Sequence, residues 1–93
     1  MKAIWNNQII AESNETILLE GNHYFPENSI KKEFFDPADT QTFCPYKGHA
    51  SYYSVNVNGK NNPNAAWYYP STKKGFEQIA GYIAFWRGIE VSE

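Results

Sequence analysis

Closely spaced turn signals are the sequence feature that most constrains what this chain can fold into. Asn6-Asn7, Gly21-Asn22, Pro26 and Asn58-Gly59 interrupt short runs that are rich in aromatic and β-branched residues. Asn-Gly is the strongest short signal for a β-hairpin, because both residues adopt positive φ at little cost. The spacing of these signals therefore predicts a mainly β fold built from short strands.

About seven to nine short strands are predicted. Ala50 to Val57 is the clearest of them, because Tyr53, Val55 and Val57 alternate with polar residues and Tyr52. Residues 36–40 are predicted as a turn and 61–64 as a loop. These strands are predicted to come from ten candidate extended segments, at residues 3–5, 8–11, 16–20, 23–25, 30–35, 40–43, 50–57, 65–69, 82–86 and 89–91.

One short helix is predicted near the C-terminus, beginning at Pro70-Ser71 and ending at Gly81. Phe76, Ile79 and Ala80 have the i, i+3, i+4 spacing of one helix face. A single crossover helix excludes a parallel βαβ fold. The predicted architecture is a small curved antiparallel sheet, either barrel-like or a two-sheet assembly, with one short helix.

Composition narrows the class of protein. A length of 93 residues predicts a single domain, 1–93, and an aromatic share of 17% argues against disorder. The net charge is −2 and the basic residues do not cluster, so no nucleic-acid partner is expected. The apolar run at the N-terminus is too short for a signal or a membrane span. We therefore expect a cytoplasmic protein with no membrane partner.

The chain has few cysteine and histidine residues that could bind a metal ion. Cys44 is the only cysteine, which excludes an internal disulfide and a cysteine-based zinc cage. His23 and His49 are the only histidines, and no pair among these three residues has the spacing of metal ligands in a helix or hairpin. No metal and no cofactor are expected.

The segment from Thr42 to Tyr53 carries a distinctive motif, Cys44-Pro45-Tyr46-Lys47-Gly48 followed by His49-Ala50-Ser51-Tyr52-Tyr53. It resembles the C-P-Y-K-G-x-A-x-Y-[YW] segment of the domain of unknown function 427 (DUF427) family. Further landmarks of the family are matched by Ile10-Ala11, Tyr24-Phe25-Pro26, Trp67 to Pro70 and Ile79 to Phe85. The resemblance covers essentially the whole chain and implies a small, curved β assembly with one short helix.

The family is sometimes labelled a nucleotidyltransferase. Polymerase-type transfer of that kind needs a Gly-Ser turn for phosphates and two or three carboxylates that hold two metal ions. This chain has no Gly-Ser pair, and Asp36 and Asp39 are three residues apart across a predicted turn. The residues therefore predict no nucleotidyl transfer.

Chemistry-bearing side chains concentrate in the turn from Cys44 to His49. A cation at Lys47 or His49 would lower the pKa of the Cys44 thiol, as a thiol nucleophile requires. The alternative is structural, because a lone cysteine is often a small buried hydrophobe and aromatic residues often only pack. The candidate ligand-binding residues are Cys44, Tyr46, Lys47, His49, Tyr52 and Trp67.

Three functions agree with this pattern. The first is binding of a small anionic or aromatic ligand at the Cys44–His49 turn and the adjoining aromatic strand face. The second is a small enzyme of transfer or hydrolysis that uses Cys44 or Lys47 in the same pocket. The third is a protein-interaction or homodimerising module. Whether the chain is an enzyme, and whether it is a monomer or a homodimer, stays open at this point.

Overall fold

The computed structural model describes residues 1–93 and contains nine strands joined by short turns. Three 3₁₀ turns, each of three residues, are the only helical elements: Glu27–Ser29, Lys32–Phe34 and Glu77–Ile79. None of these elements has the length or apolar character needed to cross a membrane. The strands are β1 Lys2–Trp5, β2 Gln8–Glu12, β3 Ile17–Leu19, β4 Asn22–Tyr24, β5 Phe35–Cys44, β6 Gly48–Val57, β7 Lys60–Tyr68, β8 Ile83–Phe85 and β9 Glu90–Ser92. The prediction of a mainly β fold is confirmed.

The strands form three antiparallel sheets, in the orders β2-β1-β9, β3-β4 and β5-β6-β7-β8. None of the sheets closes on itself. Phe25, just after β4, exchanges two backbone hydrogen bonds with Ile83 of β8, at 2.7 and 2.8 Å. The two-stranded β3–β4 ribbon is therefore attached to the β8 edge of the four-stranded sheet.

The four-stranded sheet separates two apolar cores, because successive side chains of a strand point to opposite faces. Val55, Val57 and Phe85 belong to the first core, and Tyr53 packs against it. Tyr52 instead packs against the second core, together with Trp67. The predicted alternation along β6 is confirmed, and it places an aromatic row on each face of the sheet.

The predicted tight turns are present. Asn6 and Asn7 have φ values of 50° and 63°, and Asn58 and Gly59 have 52° and 78°. Positive φ at both central residues matches the right-handed twist of the flanking strands. These two turns produce the β1–β2 and β6–β7 hairpins.

The predicted helix over 70–81 is wrong. Only Glu77–Ile79 is helical, as a single 3₁₀ turn, and Ile79 is buried in the second core. Gly75 and Gly81 have φ values of 101° and 78°, which interrupt a right-handed helix on both sides. The i, i+3 spacing of Phe76 and Ile79 reflects packing of one turn on the sheet.

Three local predictions around β5 and β7 are also wrong. Residues 30–35 do not form a strand, since Lys32–Phe34 is a 3₁₀ turn. The predicted turn at 36–40 lies within β5, which absorbs the extra residues as a register shift between Ala38 and Gln41. The predicted loop at 61–64 lies within β7. The ten-residue β6 pairs with part of each segment on its two sides, with Asp36 to Ala38 of β5 and with Asn61 and Asn62 of β7, and each pairing contains a register shift.

Candidate functional site

A pocket of about 220 Å³ lies where the β3–β4 ribbon meets the aromatic row on the second-core face of the sheet. It brings together parts of the chain that are far apart in sequence. Five of its eight residues are aromatic, and two carry charge. The lining residues are Glu20, Asn22, Tyr24, Lys47, Tyr52, Trp67, Tyr69 and Trp86.

Strand register explains how the rings gather. Tyr52 of β6 lies opposite Trp67 of β7, and Trp67 lies opposite Ala84 of β8. Ala84 is fully buried and small, so the row does not continue as a ring at that position. Tyr24 arrives from β4 and meets Trp67 edge to face, with ring centroids 6.3 Å apart at 89°. The pocket wall is thus made of rings that face different directions.

Trp86 stands at the rim of the pocket and is held in place from outside it. Its indole N–H donates a hydrogen bond to the backbone carbonyl of Asn64 at 2.6 Å. The guanidinium of Arg87 lies 4.5 Å from the centroid of the Trp86 ring. The ring is 43% exposed and stands at 77° to Trp67, with centroids 5.7 Å apart. Trp86 is an exposed but oriented ring.

Lys47 is the charged residue of the pocket that the fold buries. It is the only buried polar or charged residue of the protein, and its ammonium forms an ion pair with the Glu20 carboxylate. The Lys47 ammonium also lies 5.0 Å from the centroid of the Phe76 ring. Glu20 and Gly21 form the β3–β4 turn with φ values of 53° and 81°, and this turn carries Glu20 to Lys47. The carboxylate offsets part of the cost of burying an ammonium.

The ionisation of Lys47 follows from this pairing. The hydrogen bond to Glu20 raises the pKa of Lys47 above its ordinary value, although burial alone would lower it. The side chain is therefore an ammonium at neutral pH. It can hold an anion, but it is not a free amine nucleophile.

Tyr24 and Tyr69, two of the phenols that line the pocket, remain neutral. Burial raises the pKa of Tyr69 to about 12. Burial also raises the pKa of Tyr24, against the opposing influence of Trp67 and Lys47. These two uncharged phenols therefore lie beside one ion pair.

Cys44 lies at the end of β5, half-buried against the second core. Burial raises the pKa of its thiol, but the backbone N–H groups of Lys47 and Tyr46, together with the Lys47 charge, lower it more. The net effect is a thiol pKa below the ordinary value. Cys44 is not a lining residue of the pocket, although it is close enough to influence Lys47 electrostatically.

The structure brings three of the six predicted site residues together. Lys47, Tyr52 and Trp67 line the pocket, whereas Cys44, Tyr46 and His49 do not. Tyr46 is 74% exposed. The exposed His49 ring lies against Phe43, with centroids 5.0 Å apart. The Cys44–His49 turn thus contributes Lys47 to the pocket and directs its other polar side chains elsewhere.

The amino-acid sequence was also compared with models of known protein families. A family model described as a domain of unknown function (DUF427) matches residues 1–92. The chain belongs to the DUF427 family. No curated protein matches it. The resemblance to this family, which the sequence motifs indicated, is confirmed over residues 1–92.

Sequence reasoning missed the contribution of the β3–β4 ribbon to the pocket. Glu20 and Asn22 were not predicted as site residues, and neither were Tyr69 and Trp86. The signal for Glu20 was present, because a Glu-Gly turn between two short strands presents a carboxylate at a fixed point. The pairing of Glu20 with Lys47 could not be predicted, since the two residues are far apart in the chain.

The carboxylates of the DUF427 domain do not assemble into a metal-binding group. No three His, Cys, Asp or Glu side chains lie close enough together to hold an ion. Asp36 accepts a hydrogen bond from the Asn56 side chain across the β5–β6 pair. His23 instead shares a hydrogen bond of 3.1 Å with the Thr16 hydroxyl.

Proposed function

We propose that the DUF427 domain binds a small organic ligand in the pocket between the β3–β4 ribbon and the sheet. The anionic group of the ligand lies at Lys47, and its aromatic or other apolar body lies against the rings. The observation that carries this proposal is the burial of Lys47, the one buried charge in the protein, within the wall of an aromatic pocket. Binding sites commonly combine an apolar wall with a few convergent polar groups.

The two partners of the ion pair differ in a way that suits ligand exchange. The Lys47 side chain is 8% exposed, whereas that of Glu20 is 60% exposed. An anionic group of a ligand can replace Glu20 at the ammonium, because the Glu20 carboxylate then returns to water at little cost. Lys47 keeps an anionic partner in both states.

The size of the pocket limits the ligand. Its volume of about 220 Å³ is below the roughly 300–1,000 Å³ that is usual for drug-sized ligands. A compound with one ring or one compact apolar group fits this space. Aromatic acids and sugar phosphates are the first compounds to test, followed by nucleotides.

Thermal shift measurements test the proposal, because a ligand that binds only the folded state stabilises it. We expect at least one such compound to raise the Tm of the wild type. Lys47→Met should weaken its binding by about tenfold to a hundredfold, the loss of one charge-assisted hydrogen bond. Lys74→Met, at an exposed lysine outside the pocket, is the matched control and should bind as the wild type does. Equal binding by Lys47→Met and the wild type would overturn the proposal.

A second candidate function, a transfer or hydrolysis enzyme, is favoured by one observation. The pKa of the Cys44 thiol is lowered beside the pocket, whereas that of Lys47 is raised. Cys44 is therefore the better nucleophile of the two predicted residues. A covalent adduct on Cys44, detected by mass spectrometry of the intact protein during turnover, would support this function. Full activity of Cys44→Ser towards the same substrate would contradict it.

A further inference from the structure

We infer that the ring wall and Glu20 hold a methylated ammonium group, so that the ligand is a small betaine-type zwitterion whose carboxylate lies at Lys47. This inference rests on the proposed function and names the ligand class of the same pocket. It assigns the apolar body of the ligand a positive charge. Three observations carry it: the ring geometry, the lack of a protein cation on most of those rings, and the balance of charge in the pocket.

The ring geometry is that of two edge-to-face contacts, both made by Trp67. Trp67 stands at 89° to Tyr24 and at 77° to Trp86, so the three rings do not lie in parallel planes. A compact group seated in the pocket can contact the half-buried Trp67 and the exposed Trp86 together. Methylated ammonium groups are bound in proteins by such aromatic walls, because the negative ring faces attract a cation that is too poorly hydrated to favour water.

Most of the pocket rings have no cation of the protein on them. The four cation–π contacts of the domain use Trp5, Phe43, Phe76 and Trp86. The rings of Tyr24, Tyr52, Trp67 and Tyr69 take part in none of them. Lys47, the one cation that lines the pocket, has its ammonium at Phe76 and Glu20 instead. Of the four, the half-buried rings of Tyr52 and Trp67 are open to a ligand, whereas those of Tyr24 and Tyr69 are buried.

The charge balance of the pocket favours a zwitterion. Glu20 and Lys47 are the only charged residues among those that line it. A ligand with only an anionic group would displace Glu20 into water and gain nothing from its charge, and one with only a cationic group would compete with Lys47 for Glu20. A zwitterion places its carboxylate at Lys47 and its ammonium beside Glu20, so that every charge keeps an opposite partner.

Calorimetric titration of the wild-type protein with three probes of similar size tests the inference. The probes are trimethylglycine, its uncharged-carbon isostere 3,3-dimethylbutanoate, and choline, which lacks the carboxylate. We expect trimethylglycine to bind at least about tenfold more tightly than the isostere, because the isostere loses the cation–π attraction. We expect a similar loss for choline, because it has no group for Lys47.

A pair of variants locates the binding. Trp86→Leu should weaken trimethylglycine binding, whereas Phe43→Leu, at an exposed ring outside the pocket, should not. The Tm of both variants shows that they are folded.

The outcomes separate this inference from the proposed function. If 3,3-dimethylbutanoate or an aromatic acid binds as tightly as trimethylglycine and Lys47→Met abolishes that binding, the inference is wrong and the proposed function stands. If neither these probes nor the aromatic acids, sugar phosphates and nucleotides bind, both are wrong. Trimethylglycine binding that Trp86→Leu leaves unchanged would overturn the inference as well.

Discussion

The ammonium of Lys47 and the carboxylate of Glu20 form an ion pair that joins the β5–β6 turn to the β3–β4 turn, with one partner buried and the other mostly in water. The cost in stability of removing one partner therefore differs from the cost of removing the other. Removing the exposed partner leaves a buried charge without an opposite charge, whereas removing the buried partner leaves a carboxylate that water can solvate. Such a difference is measurable in single variants.

Glu20→Gln should consequently destabilise the protein more than Lys47→Met. We expect Glu20→Gln to lower the free energy of unfolding by about 1–3 kcal/mol, the cost of an uncompensated buried polar group. Lys47→Met, which keeps the length of the side chain, should lower it by less than about 1 kcal/mol. Urea denaturation measures both, with Glu33→Gln as a control at an exposed carboxylate that makes no ion pair. The reverse order would mean that packing of the Lys47 stem outweighs its charge.

The thiol of Cys44 should titrate at a lower pH in the folded protein than in the unfolded chain. Backbone N–H groups and the Lys47 charge lower its pKa more than burial raises it. Alkylation rates measured across pH should report this lowered value. Lys47→Met should move the midpoint towards higher pH, whereas the control Lys74→Met should not. A folded-state pKa at or above about 8.5, the value of a free cysteine, would contradict the prediction.

Stability should fall as the pH rises from about 10 to 12. The pKa of Tyr69 is raised to about 12, and those of Tyr24 and Tyr53 are raised as well, each chiefly by burial. A group with a raised folded-state pKa contributes stability that is complete below its unfolded pKa, about 10 for tyrosine, and is lost as the pH rises through the folded pKa. The pKa of Lys47 is also raised, so its contribution to stability is lost in the same direction, as the pH rises.

Tyr69→Phe provides the matched comparison for this alkaline effect. Because phenylalanine has no proton to lose, the loss of stability between pH 8 and pH 11 should be smaller in the variant than in the wild type. Urea denaturation at a series of pH values measures the slope. An identical slope in both proteins would show that Tyr69 does not contribute to the alkaline loss.

Gly48 should be the least replaceable glycine next to the site. Its φ is +115°, and an added Cβ would lie 3.5 Å from the Ser71 carbonyl oxygen. The same turn accepts a backbone hydrogen bond of 2.9 Å from Lys73 at the Lys47 carbonyl. Gly48→Ala should lower the free energy of unfolding by about 1–3 kcal/mol because of backbone strain.

The control for Gly48 is Gly59 in the β6–β7 turn. Gly59 has φ +78° with open space around it, and asparagine tolerates positive φ there. Gly59→Asn should therefore change stability much less than Gly48→Ala. Equal losses in the two variants would mean that the constraint at Gly48 is not specific to its backbone conformation.

Local patterns were sufficient for part of the fold. Asn6-Asn7 and Asn58-Gly59 were predicted as turns because few other residues accept positive φ, and the structure has both turns. The alternation of Tyr53, Val55 and Val57 predicted one face of β6, because the period of two belongs to any half-buried strand. These features depend on neighbours in the sequence alone.

Other predictions failed where pairing partners decide the conformation. Asp36-Pro37-Ala38-Asp39 has the composition of a turn, yet pairing with β6 keeps it extended. Asn61 to Asn64 has the composition of a loop, yet pairing of Asn61 and Asn62 with the same neighbour makes the segment part of β7. The helical spacing from Phe76 to Ala80 arises from one 3₁₀ turn packed on the second core. In each case, contacts with another strand or with the core outweigh local propensity.

The sequence by itself determined the mainly β class, the positions of the tight turns, the alternating faces of β6 and membership of the DUF427 family. Only the tertiary structure decided which candidates share a pocket. Lys47 was identified from its motif, but its burial and its pairing with Glu20 depend on the backbone bonds between Phe25 and Ile83 that attach the β3–β4 ribbon to the sheet. Turns and alternation follow from the conformational limits of adjacent residues. A site built from four separate segments exists only once long-range strand pairing has brought them together.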